Sequence, residues 1–410
     1  MLLERLIRFF SSLKLTVVCL ALAVVLVFVG TLAQVKLGLY EVQARYFQSF
    51  FVYWQLPGTA VRIPVFPGGY LLGGVLLINL FVAYFSRLGK QRLHPGLLLI
   101  HFGLAALLLG QVWTDLAQRE SVMRLAEGET KNYSESLRRT ELAVIDPSDP
   151  QVDRVVAIPE SHLRPGSTLT HPQLPFAIRV HQFWVNSAPV RGDTNTTPQV
   201  TQGTGLKARF VPRPPVTTTD ERNVPTAIIE LLGTDPAGAS LGTWLVSDWL
   251  LEPQAVEVQG RKYLLALRLA RYYKPFSLTL LEARHDKYKG TEIPRNFSSR
   301  VRVRQPSTGE DREVLIYMNN PLRYGGFTFY QYQMAADEAV RMRGQKPTST
   351  LQVVQNPGWL MPYIACVLVS AGLLWQFSGH LLGFLRERRR RPAGQPRPAR
   401  AAEAEPVLSR

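Results

Sequence analysis

Cysteine is nearly missing from this chain. Its 410 residues include two, Cys19 and Cys366, and both sit inside long apolar runs. Residues 115–356 contain none, so that region can neither form a disulfide nor cycle a thiol, and a core of its own must hold it together, which its length permits. The gap has two readings, compositional chance or a domain that handles another protein's thiols and offers none itself. Also missing are a metal-ligand spacing, a Gly-rich phosphate loop, a Ser/His/Asp arrangement and a pair of catalytic carboxylates. Nothing in the chain therefore points to a nucleotide-binding or hydrolytic enzyme.

Long apolar runs are what the chain has. The mean hydropathy of −0.01 resembles that of a soluble protein, but it averages two unlike parts. Residues 15–34, 66–85, 96–114 and 357–377 are each mostly apolar, and about 20 such residues suffice to cross about 30 Å of hydrocarbon. The expected fold is an integral membrane α-helical protein with four transmembrane helices and a large β-rich extracytoplasmic domain, residues 115–356, inserted between helices three and four. Residues 1–14, 35–65, 86–95 and 378–410 then form the N-terminus, an outer loop, an inner loop and a basic tail.

The net charge of +16 raises nucleic acid as a partner until the charges are sorted by segment. Residues 1–14, 86–95 and 378–410 together hold 14 Lys and Arg against 4 Asp and Glu, whereas residues 115–356 hold 30 against 26. The excess is thus topological and argues against nucleic acid. Short basic flanks stay in the cytoplasm, so Arg5, Arg8, Lys14, Arg87, Lys90, Arg92 and Arg386–Arg391 mark the inner side. Both termini are expected inside and the large domain outside the cytoplasmic (inner) membrane. The first run follows Arg5 and Arg8 as a signal peptide would, but it exceeds a typical h-region and no small-residue cleavage site follows, so it reads as a retained anchor.

Within residues 115–356 the apolar pattern is mostly period two. ELAVIDP, VDRVVAIP, FAIRVHQFWV, TAIIELLG, YLLALRLARYY, FSLTLLEAR, SSRVRVRQ, EVLIYMN, FTFYQYQM and STLQVVQ alternate or form short apolar runs between Pro, Gly and Asn clusters. A sandwich or barrel is expected, with its clearest hairpin turning through Pro306–Gly309. Residues 186–225, rich in Thr, Pro, Gly and Asn, read as a long excursion over the domain surface. The aromatic stretch YFQSFFVYW at 46–54 suits either an interfacial belt or a hydrophobic cradle for a planar ligand.

One titratable side chain, His101, stands inside the third run, GLLLIHFGLAALLLGQVWT. An ionisable group at that depth costs about 2 kcal/mol or more and is a functional candidate by default. Neutral imidazole also suits an iron centre in an apolar pocket, because it ligates without adding a buried charge. Gly96, Gly103 and Gly110 recur every seven residues and line one seam where another helix can approach closely. His101, about 200° around the axis from Gly103, faces away from that seam. Asn79 in the second run lies at a similar depth. Its amide could hold the second imidazole nitrogen or could serve a structural hydrogen bond between neighbouring helices. His94 and His380 read as flank residues, His162, His171 and His285 as solvated, and His181 as the best of the exported set through the strand face it shares with Arg179 and Phe183.

FFSSLKLTVV (9–18), GTLAQ (30–34), YFQSFFVYW, IPVFPGGYLLGGVLLINL (63–80), LIHFGLAALLLGQ (99–111), PRNFSSRVRV (294–303) and YMNNPLRYGGFTFYQ (317–331) resemble the ResB family, also called CcsB, of System II cytochrome c biogenesis proteins. The likeness runs over about nine tenths of the chain and leaves out the basic tail. It implies a subunit that acts with a multispanning CcsA (ResC) type partner. The pair would carry haem across the membrane and attach it to the Cys-x-x-Cys-His motif of apocytochrome c, through thioethers between haem vinyls and reduced cysteines. Thioredoxin-like thiol reductants are further implied partners. The resemblance places an axial ligand of a haem b on His101, with the second ligand supplied by the partner. The seven Trp are scattered rather than gathered in a CcsA-type haem-binding segment, so the chain reads as one half of a haem lyase, with activity expected only in the pair. Two other classes remain, a haem transporter subunit without ligation activity and a membrane-anchored docking scaffold for apocytochrome and thiol-reducing factors.

Overall fold

The computed structural model describes residues 1–59, 61–87, 95–150, 152–190, 200–216, 222–233, 238–250, 252–291, 293–336 and 338–390. Its helices are α1 (Leu2–Phe10), α2 (Leu13–Leu37), α3 (Leu39–Val42), α4 (Gly69–Arg87), α5 (Pro95–Ala117), α6 (Glu338–Met342) and α7 (Met361–Arg390). Among the described residues α2, α4, α5 and α7 are long and apolar enough to cross a membrane. The chain divides into two compact units, one built on residues 1–24, 69–116 and 358–390, the other on residues 25–68 and 117–357.

In the first unit, the glycine seam of α5 packs against α7. A methyl group added at Gly96 would fall 2.7 Å from the Gly372 carbonyl oxygen, and one at Gly103 would fall 2.9 Å from that of Ala365. One at Gly110 would meet the Met361 side chain at 2.7 Å. The seven-residue period therefore marks a true line of backbone approach, and small residues on both helices permit it. Most other large apolar side chains of these helices, such as Val24, Phe28, Phe85, Val367 and Leu374, point outward and exposed, as expected of helices whose solvent is lipid.

The second unit is β-rich. An aromatic hairpin, β1 (Phe51–Gln55) with β2 (Arg62–Pro67), occupies part of what the sequence presents as an outer loop. The main strands are β3 (Arg119–Ala126), β4 (Thr130–Asp146), β5 (Arg154–Pro159), β6 (Thr168–Leu169), β7 (Phe176–Trp184), β8 (Ser187–Pro189), β9 (Phe210–Pro212), β10 (Thr226–Gly233), β11 (Ser240–Ser247), β12 (Gln254–Val258), β13 (Arg261–Lys287), β14 (Pro294–Gln305), β15 (Glu310–Tyr317), β16 (Leu322–Tyr324), β17 (Phe327–Ala335) and β18 (Thr348–Gln355). The largest sheet runs β15-β14-β13-β4-β3-β18-β17-β16, with β5 on β4 and β12 on β13. A four-stranded sheet, β11-β10-β7-β6, covers one half of it. Part of the 186–225 excursion does lie over this second sheet, where Phe210 packs on Ile228 and Leu245; residues 191–199 and 217–221 lie outside the described residues.

Two strands are far longer than the runs that signal them. YLLALRLARYY and FSLTLLEAR, separate strands by pattern, are one strand, β13, and ELAVIDP is the end of β4. Their pairing slips twice. Between Leu269 and Arg271, β4 advances from Thr140 to Glu135, and the extra residues bulge where Ser136 Oγ accepts from the Arg138 and Arg139 amides at 3.3 and 3.0 Å. Between Tyr273 and Leu278 it is β13 that carries the extra residues, around Lys274 and Pro275, whose ring nitrogen has no proton to give the ladder. These bulges divide the sheet between two cores. One gathers Leu142, Val144, Phe176, Ile229, Trp244 and Leu265 between the two sheets. The other gathers Met123, Phe276, Leu278, Val301, Phe329 and Leu351 inside a curled half whose end strands meet, since Tyr324 Oη donates to Glu310 Oε2 at 2.7 Å.

The hairpin through Pro306–Gly309 is present, with Gln305 paired to Glu310 and Gly309 at a φ of +68°. Tyr324 and Phe327 flank a two-residue turn whose central residues, Gly325 and Gly326, have φ of +58° and +81°. Such a turn needs left-handed backbone at both positions, which is why the sequence there reads YGGF.

Candidate functional site

His101 lies in the N-terminal third of α5, on the second turn after Pro95, and the one acidic residue of that helix, Asp115, stands about four turns further on. Its Nδ1–H donates to the Leu97 carbonyl oxygen at 2.7 Å, one turn back. This bond fixes the ring and the tautomer, and leaves Nε2 as the basic nitrogen with its lone pair available. The ring is half-buried, and its helix face carries Leu97 and Leu104, each 46% exposed. Opposite lies the glycine seam on α7. Phe102, next to it, meets Tyr84 of α4 edge to face with ring centroids 5.8 Å apart. The arrangement is an imidazole, held by backbone, on an apolar outward face.

Asn79 is buried but does not hold the imidazole. Its Oδ1 accepts from Thr16 Oγ1 at 2.7 Å, and its Nδ2 donates to the carbonyl oxygens of Phe10 and Ser12 at 2.6 and 3.2 Å. All its strong hydrogen-bonding capacity goes to the joint between α1 and α2. Of the two roles open in the sequence, the geometry realises the structural bond between neighbours, because the Leu97 carbonyl already serves His101 Nδ1. A second polar link in this unit joins the Tyr70 hydroxyl of α4 to the Asp115 carboxylate of α5.

The remaining histidines have other partners. His181 Nε2 is 3.1 Å from Glu230 Oε2, which also pairs with Arg179 at 3.3 Å, so it belongs to a surface ion-pair cluster across β7 and β10. The His285 ring stacks on Phe297 with centroids 4.4 Å apart. His162 lies 3.3 Å from Ser161 Oγ, His171 Nδ1 accepts from the Gln173 amide, and His380 is 3.0 Å from Gln376 Nε2. His94 is outside the described residues. Among the described residues no three His, Cys, Asp or Glu side chains come together to hold a metal ion. Cys19 and Cys366 are both free thiols.

Four membrane-length helices, an imidazole presented on an apolar face and a two-core β-rich domain define a membrane protein with a large folded β-rich part. Comparison with known proteins makes this more specific. Residues 255–346, from β12 to the region of α6, match the ResB-like family. Protein NrfI of Wolinella succinogenes is 36% identical over 101 residues, which cover 25% of this chain. The aligned region spans about a tenth of that relative's length. The family match covers PRNFSSRVRV and YMNNPLRYGGFTFYQ, both in the β-rich part, and does not reach His101.

Proposed function

We propose that this chain is one subunit of a membrane-bound cytochrome c haem lyase, in which His101 supplies one axial ligand to haem b and a CcsA-type partner supplies the other. The observation that carries this reading is the His101 ring, with Nδ1–H committed to the Leu97 carbonyl at 2.7 Å and Nε2 left free on an outward apolar face. A nitrogen so held can bind iron without a change of tautomer and without burying a charge. Among the described residues Leu97 and Leu104 on that face stay exposed, which suits a site completed by a second protein. Haem is the substrate, and its vinyl groups take up the reduced cysteines of an apocytochrome c. The chain's own part is to fix the imidazole and, through the β-rich domain, to receive the apocytochrome and its thiol reductants on the far side of the membrane. Asn79 contributes by bracing the helices rather than by touching the imidazole. The charge asymmetry supports cytoplasmic termini and an extracytoplasmic domain inserted between the third and fourth spans, in the cell's inner membrane.

The test is haem per protein and the visible spectrum, for the chain alone and co-expressed with a CcsA-type partner. The pair should hold haem with a low-spin spectrum while the chain alone holds little. His101→Gly should empty the site in the pair, and exogenous imidazole should restore the spectrum, which a merely structural histidine would not allow. Full occupancy in the His101→Gly pair without imidazole would refute the ligand assignment and favour a docking scaffold.

A further inference from the structure

A cavity of about 300 Å³ opens within the β-rich unit at the second bulge of β13. Its walls include Arg119 of β3, Arg271, Tyr272 and Tyr273 of β13, Phe327 of β17 and the hydroxyl of Ser134. Behind the wall stands Lys274, 5% exposed, whose Nζ donates to Ser134 Oγ at 2.6 Å and to the Tyr272 carbonyl at 3.1 Å and lies 4.7 Å from the centre of the Phe327 ring. Three wall residues thus hold the ammonium directly against the cavity. No carboxylate among the described residues lies within ion-pair distance of it.

The charges around this space do not balance. The Arg119 guanidinium has no ion pair or side-chain hydrogen bond among the described residues, and Arg271 shares the single carboxylate of Glu135 at 3.2 Å while stacking over Tyr133 at 4.2 Å. Three cations face one anion. A buried ammonium without a counter-charge is costly, and burial pushes the Lys274 pKa down to about 8 from its ordinary 10.5. A ligand that brings a negative charge relieves that cost. Guanidinium forks match a planar carboxylate with two parallel hydrogen bonds, and the Tyr272, Tyr273, Phe327 and Val353 walls suit a flat apolar body rather than a bare ion.

We propose that this cavity is a binding site for a carboxylate carried on a flat apolar group, gripped by Arg119 and Arg271 and stabilised by the Lys274 ammonium. The carboxylate could belong to a free aromatic acid or to the propionate edge of a porphyrin; only the second source rests on the haem reading above.

Titration of the full-length protein in detergent with benzoate, benzamide and inorganic phosphate, followed by calorimetry, tests the site. Benzoate should bind, benzamide should bind at least tenfold more weakly, and phosphate should not compete. Arg119→Ala and Lys274→Met should each weaken benzoate at least tenfold while circular dichroism keeps the β signature. Equal binding of benzoate and benzamide, preference for phosphate, or unchanged benzoate affinity in both variants would overturn the proposal. A second arm compares metal-free deuteroporphyrin with its dimethyl ester in the His101→Gly background. Diacid binding that is lost with the ester and with Arg119→Ala assigns the site to a porphyrin edge, and diacid that fails to compete with bound benzoate assigns it to a free acid. Because this arm uses no iron and no His101, it stands or falls separately from axial ligation.

Discussion

Replacing Lys274 with Met should make the β-rich unit more stable at neutral pH, and the gain should vanish in alkali. The ammonium is buried with two hydrogen bonds and no ion pair, and its pKa falls from 10.5 to about 8. A displacement of that size corresponds to roughly 3 kcal/mol between folded and unfolded states. Below pH 8 the lysine is protonated in both states and the folded protein bears the full cost. Between pH 8 and 10.5 the unfolded chain keeps a proton that the folded chain has released, so wild-type stability rises with pH across this window. Methionine fills similar volume without charge, and loss of the two hydrogen bonds returns about 1 kcal/mol. Ser134 keeps its bond to Ser121 Oγ at 2.8 Å. The net gain is about 2 kcal/mol at pH 7, or roughly 4–8 °C in apparent midpoint at about 2–4 °C per kcal/mol for a unit of this size. Scanning fluorimetry of the detergent-solubilised protein at one heating rate, in carboxylate-free buffer at pH 7 and pH 10, reads the difference. A variant that is less stable at pH 7, or a gap that is the same at both pH values, would refute the claim that an uncompensated ammonium is desolvated there.

Gly103→Leu should push α5 away from Ala365 and Val369 of α7 and lower the midpoint of the full-length protein by an amount equivalent to about 1–3 kcal/mol. Gly73→Ala, where an added methyl group meets nothing within 4 Å, should leave that midpoint within error or raise it. Asn79→Leu strands the Thr16 hydroxyl and the Phe10 and Ser12 carbonyls, so limited proteolysis should cut residues 1–12 faster while the haem spectrum of the pair stays unchanged. A shifted spectrum would instead return Asn79 to the ligand shell. Reporter fusions at residue 200 should report the outer compartment and those at residues 90 and 395 the cytoplasm; reversal at any one breaks the four-span topology.

What could be read in advance follows from how local each signal is. The four spanning helices are legible because length and apolarity are properties of a single run, and Gly96, Gly103 and Gly110 disclose their seam because a period of seven survives without knowing the partner helix. The partner of Asn79 was not legible. Depth and face put it level with His101, but only the folded joint between α1 and α2 reveals that three backbone and hydroxyl groups compete for its amide. The bend of β13 was hidden for another reason. Pro275 looks like a break between strands, yet at a bulge the missing donor costs nothing and the strand continues. RESVMRLA and SLGTWLVS became β3 and β11 despite charges, Gly and weak alternation, because neighbours in the sheet supply what their own propensity lacks. Lys274 stands in sequence among Tyr, Pro and Arg like any solvated lysine. Its burial comes from Phe327 and Ser134, which belong to strands distant in the chain.

The shared strand also bears on how this protein could be taken apart. β13 gives side chains to both cores and pairs with β4 on either side of its bulge, so neither core owns a complete set of strands and neither can be excised by a cut in a loop. Residues 255–346, the stretch matched by the family, carry β12 to β17 but lack β3, β4 and β18. A fragment trimmed to those bounds would present the long flank of β13 and the edge of β17 without their neighbours, an open template for aggregation. Residues 117–357 taken whole keep β3, β4 and β18 beside the strands they pair with, β13 and β17 among them, and so leave neither of those flanks bare.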